Sequence, residues 1–421
     1  MSTMENKLSF TFTGSSGEYF KIWIVNTLLT ILTLGIYSAW ATVRTKRYFY
    51  GNTWLDGANF EYHATPLQIL PGRILVLLML GIYLLSAQFF PAGMYIILII
   101  GVVVLPWAMW RSLQFNAGVS SYRNIRFKFD GDLGGAYWLL LLLPALAVLG
   151  VTVLNVMLTG SMPDWNSDSA FLVTPEITQL NALQEMLVRL LLLTSSAYLS
   201  TTLFFPYWQT LYNRYRLDQH RYGQATFQSF LAAGDVYVIY LKVLVISVLV
   251  GIIALLIFML GTMIIGGLFA MNNAMPPNNL DIFWLIGFTS ITLYTLLMIT
   301  GSYLQAYARV RLRNYVYSNV ILKTSNSANT NTKAYFHSNM TITDVWGLYI
   351  GNALLLLITL GLAYPAIKIR LARYAAQTTA LSIRGNIDAF IGAEHNNQSA
   401  LGDEIATALE ADTDVSVEFG I

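Results

Sequence analysis

A chain that repeats itself folds into units that repeat, and this one does so at a constant offset of 326 positions. Residues 10–55 match 336–381: Phe10 falls on Phe336, Asn26 on Asn352, and Thr33-Leu34-Gly35 on Thr359-Leu360-Gly361. Arg44, Arg47, Tyr48 and Thr53 then fall on Arg370, Arg373, Tyr374 and Thr379. The end of the unit recurs three more times. Trp40, Arg44 and Phe60 match Trp107, Arg111 and Phe127; Trp40, Arg47, Tyr48 and Phe60 match Tyr207, Arg214, Tyr215 and Phe227; Trp40, Arg44 and Tyr48 match Tyr307, Arg311 and Tyr315. The entry repeats too, FTFTGSSGEY at 10–19 resembling FKFDGDLGGA at 127–136. The unit is a short extended segment, an entering helix, a turn, and a returning helix ending in aromatic-x3-Arg-x2-Arg-Tyr. The alternating aromatics of Phe10-Thr11-Phe12 and Phe127-Lys128-Phe129 suit short strands, which five units could pool in a small cytoplasmic sheet or collar.

Six stretches between these motifs are apolar over the roughly 20 residues a bilayer requires. They lie near 69–90, 94–115, 136–159, 183–210, 235–262 and 282–310. With 56% hydrophobic and only 11% charged residues, against roughly a quarter charged in soluble domains, the chain reads as a membrane protein. The connections Phe90–Gly93, 160–182 and 270–281 carry no Lys or Arg, whereas the opposite ends hold Arg111, Arg123, Arg126 and Lys128, then Arg214, Arg216 and Arg221, then Arg309, Arg311 and Arg313. That bias places the Arg-rich ends and both termini in the cytoplasm. The start, MSTMENKLSF, has no charged-then-apolar signal pattern.

Segments 18–50 and 344–376 each hold an apolar run with a central Gly and then a basic cluster: Arg44, Lys46 and Arg47, or Lys368, Arg370 and Arg373. As single spans they would put cations outside. As hairpins turning at Gly35 and Gly361 they avoid this, and the nine residues from Gly35 to Arg44 cover about 13 Å of helix. The expectation is therefore two re-entrant hairpins buried against protein. The fold class expected is an all-α polytopic membrane protein with six full spans, two re-entrant hairpins and short cytoplasmic β segments. Its membrane domain, 1–385, divides at about 8–66, 67–126, 127–226, 227–323 and 334–385. Thr324–Lys333 reads as a polar linker. Residues 386–421 hold eight acids and no Lys or Arg, leaving the rest at +10 against the whole chain's +2, and read as a disordered cytoplasmic tail.

The run GEYFKIWIVNTLLTILTLGIYSAWATVRTKRYFYGNTWLDG, followed by FEYHATP, resembles the YjgN family of bacterial inner-membrane proteins of unknown function, and the pattern of spans extends the likeness over about residues 8–385. The resemblance implies a multi-pass protein of the bacterial inner membrane. It brings no catalytic residues.

Two residue sets stand out. Arg44, Arg47, Arg111, Arg214, Arg311, Arg370 and Arg373 are either ordinary interfacial anchors or a basic ring that binds anionic lipid or phosphate. Asn26 and Asn352, with Gly35 and Gly361, are either a structural tie between hairpin arms or the lining of a pathway at the hairpin tips. Cysteine is absent, His63, His220, His337 and His395 have no ligand spacing, and no HExxH, GxSxG or phosphate loop occurs, so no catalytic, cofactor or metal site is expected. Lys242 lies seven residues past Asp235, and no Asp, Glu or His falls mid-span, which weighs against ion-coupled transport. Two functions follow. One is a channel or facilitator for a small solute or lipid. The alternative is a non-enzymatic scaffold binding anionic lipid, a protein partner or its own copies through the basic collar. Membrane lipids are the expected partners and nucleic acid is not.

Overall fold

The computed structural model describes residues 6–159, 176–271, 279–323 and 333–384. Every unit runs strand, helical hairpin, strand. Unit one is β1 (Asn6–Phe12), α1 (Ser16–Leu32), α2 (Ser38–Gly51) and β2 (Thr53–Leu55). Unit two is β3 (Ala58–Tyr62), α3 (Pro66–Phe89), α4 (Pro91–Gly118) and β4 (Ser120–Tyr122). Unit three is β5 (Ile125–Phe129), α5 (Leu133–Tyr137), a π-helical turn (Trp138–Leu142), α6 (Leu143–Thr159), α7 (Glu176–Asp218) and β6 (His220–Tyr222). Unit four is β7 (Ala225–Ser229), α8 (Ala233–Met271), α9 (Asn279–Ser318) and β8 (Val320–Lys323). Unit five is β9 (Lys333–Ser338), α10 (Ile342–Ile358), α11 (Tyr364–Gln377) and β10 (Thr379–Arg384).

The ten strands form one closed antiparallel barrel, which overturns the all-α, six-span expectation. Within each unit the two strands flanking the hairpin pair with each other, as in Phe12 opposite Thr53 and Tyr62 opposite Ser120. Between the first four units, tight turns make β-hairpins. Asp56-Gly57 and Arg123-Asn124 take the left-handed φ such turns demand, and Gly223 does so between β6 and β7. Pairing of β1 with β10, Ser9 opposite Ala380, closes the ring and leaves no exposed edge. Alternate residues fill the barrel: Leu55, Tyr122, Ile125, Tyr222, Ala225, Leu322, Ala334, Leu381 and Ile383 are buried there. Each unit also adds one phenylalanine from its entering strand, namely Phe10, Phe60, Phe127, Phe227 and Phe336. The interior is a packed core.

Four described helical stretches are long and apolar enough to cross a bilayer: Pro66–Phe89, Ala92–Gly118, Leu133–Met157 and Ala233–Gly261. α7 and α9 run instead for 43 and 40 residues, about 60 Å each, and end in polar Arg- and Tyr-bearing turns that stand on the barrel. Connections 160–175 and 272–278, the linker 324–332 and the acidic tail lie outside the described residues.

Hairpins pack on one another near the barrel through equivalent positions. Ala39, Pro106, Pro206, Ala306 and Pro365 occupy one site on the returning helix, and all five are fully buried. One turn on, Val43, Val310 and Ile369 meet Ile69, Val345 and Tyr19 from the next unit's entering helix. A small residue at the first site lets the helices approach closely. Farther out, most side chains of α3, α4 and α8 are exposed, and only 6% of the most apolar stretch of α8 is buried. Apolar surface on that scale needs lipid to cover it.

α1–α2 and α10–α11 form shorter hairpins, and ring closure sets them side by side, with α11 packed on α1 through Trp23 and Tyr364. Both turn through the same Thr-Leu-Gly, with φ of 50° at Leu34, 94° at Gly35, 49° at Leu360 and 91° at Gly361. Gly35 N–H donates to Thr30 O and Gly361 N–H to Leu356 O, while the Thr33 and Thr359 hydroxyls accept from the amides of Tyr37 and Ala363. Thus the turn satisfies its own backbone. Its tips are not buried against protein as expected: Leu34 is 85% and Leu360 92% exposed.

Candidate functional site

Where each strand turns into its helix, residues of the returning helices grip the turn, and in four of the five units two adjacent positions do so. The first reaches forward to the next unit. Arg47 Nη2 donates to the Ala64 carbonyl at 2.8 Å, Arg214 Nε to Leu231 O at 2.9 Å, and Arg373 Nη2 to Gly14 O at 3.3 Å. Where the repeat has no arginine, other donors serve: Asn314 Nδ2 reaches Met340 O at 2.9 Å and the Trp110 indole reaches Gly131 O at 2.6 Å. All five acceptors lie two residues before a helix.

The second residue, tyrosine in four units, holds its own unit's helix start. Tyr48 hydroxyl donates to Ser15 O and accepts from Ser15 N; Tyr315 does the same at Ala232. Tyr215 donates to Asp132 O at 2.7 Å, and Tyr374 accepts from Thr341 N at 3.1 Å. Unit two has Phe115 here, and Thr65 with Gln68 caps α3 instead. Gly131 is required beside this contact, since a Cβ there would lie 2.4 Å from Phe129 and 2.9 Å from the Tyr215 hydroxyl. Burial, with the Asp132 charge adding to it, pushes the Tyr215 phenol up to about 12. His220, packed against Phe129, is pushed below 6.5 mainly by burial.

The seven arginines therefore divide. Arg47, Arg214 and Arg373 spend donors on backbone carbonyls. Arg44 and Arg370 stand one turn away, exposed and with no partner among the described residues. Arg311 lies over the Tyr307 ring and Arg111 reaches Gln114 Oε1 at 3.3 Å. The structure does not gather the seven at one point; it distributes them around the ring. Arg44 and Arg370 belong to the two short hairpins, whose α2 and α11 flank α1.

Asn26 is 5% and Asn352 6% exposed. Asn26 Nδ2 donates to Ala41 O on α2, tying the two arms, but six residues beyond Gly35 rather than at the turn. Oδ1 of both asparagines is buried without a hydrogen-bond partner. Gly35 packs on Leu77, while a Cβ at Gly361 would meet open space. Arg73, inside the first apolar stretch, stands outside the repeated arginine pattern; its Nη2 donates to Thr42 Oγ1 at 3.1 Å and its Nε is buried unpartnered. A lone cation in an apolar run was the available signal. Asn314 and Trp110 are hidden for different reasons: Asn314 departs from the arginine pattern in residue type, and Trp110 lies four residues before the arginine position, which Gln114 occupies. No group of three His, Cys, Asp or Glu able to hold a metal occurs among the described residues.

A family model described as "Bacterial protein of unknown function (DUF898)" matches residues 7–408. The chain is 28% identical over 382 residues to "Inner membrane protein YjgN" of Salmonella typhimurium, covering 90% of this chain and 88% of that one. It is 30% identical over 167 residues to the protein of the same name from Escherichia coli K12, covering 39% and 42%. No solved structure matches.

Proposed function

Starting from the chain's membership of the DUF898 family of bacterial membrane proteins of unknown function, we propose that it eases movement of phospholipid across the bilayer at the low sector of its ring, where units five and one meet. The observation that carries this is the pair of adjacent short hairpins with exposed leucine tips. α1 and α10 have 17 residues and α2 and α11 have 14, so they rise about 21–25 Å, against about 36 Å for α3. A hydrocarbon core of ~30 Å must thin to cover Leu34 and Leu360, which brings opposing headgroups closer. At the base of the same sector, Arg44 and Arg370 offer planar donors to phosphate.

The barrel, with Asn6 and Arg384 on it, belongs on the cytoplasmic side by the arginine bias of the connections, so that both ends of the chain lie inside. The filled barrel favours lipid over an aqueous solute as cargo, because an axial path would have to displace five phenylalanines. The protein is non-enzymatic and needs no cofactor in this reading. The filled barrel also suits a pure scaffold that binds lipid without moving it.

Purified chain in liposomes carrying a trace of fluorescent phospholipid separates the two. Faster loss of the inner-leaflet label to an external quencher than in empty liposomes, without release of a trapped solute, supports lipid facilitation. Loss at the protein-free rate rejects it in favour of the scaffold, and solute release would reject the sealed barrel.

A further inference from the structure

The barrel wall carries one row of cations in strict register. Lys128 lies opposite Arg221, Arg221 opposite Thr226, Thr226 opposite Lys323, Lys323 opposite Lys333, and Lys333 opposite Arg384. Six strands thus contribute five cations and one threonine. Opposed residues in an antiparallel pair share a face with Cβ atoms roughly 5 Å apart, and like charges so placed repel. The neighbouring residues Phe127, Tyr222, Leu322 and Ala334 fill the core, so Lys128, Arg221, Lys323 and Lys333 take the outer face. Asp130 pairs with Arg221 at 2.6 Å. Among the described residues no carboxylate pairs with Lys128, Lys323 or Lys333.

A repulsive row held in register calls for a counter-charge, and the chain itself supplies one. The row ends at Arg384, and residues 386–421 follow with Asp388, Glu394, Asp403, Glu404, Glu410, Asp412, Asp414 and Glu418 and no Lys or Arg. We propose that the row is the docking surface for this acidic segment. Five inter-strand steps of about 4.8 Å make the row roughly 24 Å long, which about eight extended residues span, so the 37 residues after Arg384 exceed it several-fold. Tethering at one end holds the acids at millimolar effective concentration, so that weak individual pairs suffice. This inference rests on strand register and charge, and is independent of lipid movement.

The chain lacks cysteine, so Thr226→Cys in the row and Ser399→Cys in the acidic segment can be spin-labelled as a pair in the full-length protein. Pulsed electron resonance near 50 mM salt should give a narrow short-distance population. It should disperse near 500 mM, where screening falls below ~5 Å, and in the variant K323E/K333E/R384E. D403N/E404Q/E410Q/D412N, which leaves the barrel untouched, should disperse it equally and guards against misfolding of the first variant. A broad distribution at both salts, or a narrow one indifferent to salt and to either variant, overturns the proposal.

Discussion

Arg373 Nη2 donates to the carbonyl of Gly14 at 3.3 Å, across a separation of 359 positions. The last unit thereby grips the first in the way Arg47 grips Ala64 and Arg214 grips Leu231. A contact that is local between successive units becomes long-range where the ring closes.

Arg47→Ala, Arg214→Ala and Arg373→Ala should therefore each lower stability in detergent by about 1.5 kcal/mol, the low end for a charged donor because these side chains are partly solvated. Arg44→Ala, with no partner to lose, should stay within roughly 0.5 kcal/mol of wild type. An Arg44 effect as large as that of Arg373 would refute the division of the arginines into clamps and free cations.

Phe127 packs against Tyr222 inside the barrel, with ring centroids 5.1 Å apart. Replacing it with alanine should cost about 3 kcal/mol through lost burial and cavity formation. Thermal unfolding measures this. An unchanged midpoint would mean that the barrel interior is not a packed core.

Two groups at the junction set a pH window. His220 has its folded value below 6.5, so its neutral form contributes stability above 6.5 that is lost as pH falls through the folded value. Tyr215 sits at about 12 against an ordinary 10.0, so its contribution is full below 10 and lost as pH rises through about 12. Melting temperature against pH should fall at both ends. His220→Asn should flatten the acid limb and Tyr215→Phe the alkaline one; limbs unchanged in both variants would contradict these assignments.

Sidedness can be read by labelling single cysteines in intact cells with an impermeant thiol reagent. Phe90→Cys, at the α3–α4 tip, should react from outside, and Gln228→Cys, on the barrel, should not. The reverse pattern would invert the proposed orientation.

Much of this architecture is legible in the residues. The offset of 326 that sets Thr33-Leu34-Gly35 on Thr359-Leu360-Gly361 marks two units with the same turn, and both adopt the same left-handed Leu-Gly pair. Barrel closure is not legible, because β2, β4 and β6 have only three residues each and β1 meets its partner β10 at the far end of the chain. Long apolar runs dominate the reading and make the strands look like connectors. The arginines are visible as a pattern, but their targets are backbone carbonyls, which no side-chain pattern records. Trp110 and Asn314 do the same work with different chemistry. α7 and α9 look like single spans because their apolar middles are legible while their continuation onto the barrel is not.

Closure of the ring carries the rest of the account, since it seals the barrel and brings the two short hairpins together. Ser9 lies directly opposite Ala380 across β1 and β10, at a Cα separation of about 5 Å that a disulfide can bridge. In this cysteine-free chain, Ser9→Cys with Ala380→Cys should oxidise to an intramolecular bond in the folded protein, whereas Ser9→Cys with Thr226→Cys, on a strand that does not neighbour β1, should not. Failure of the first pair to link in protein that is folded and monodisperse, or equal linking of both pairs, would contradict closure.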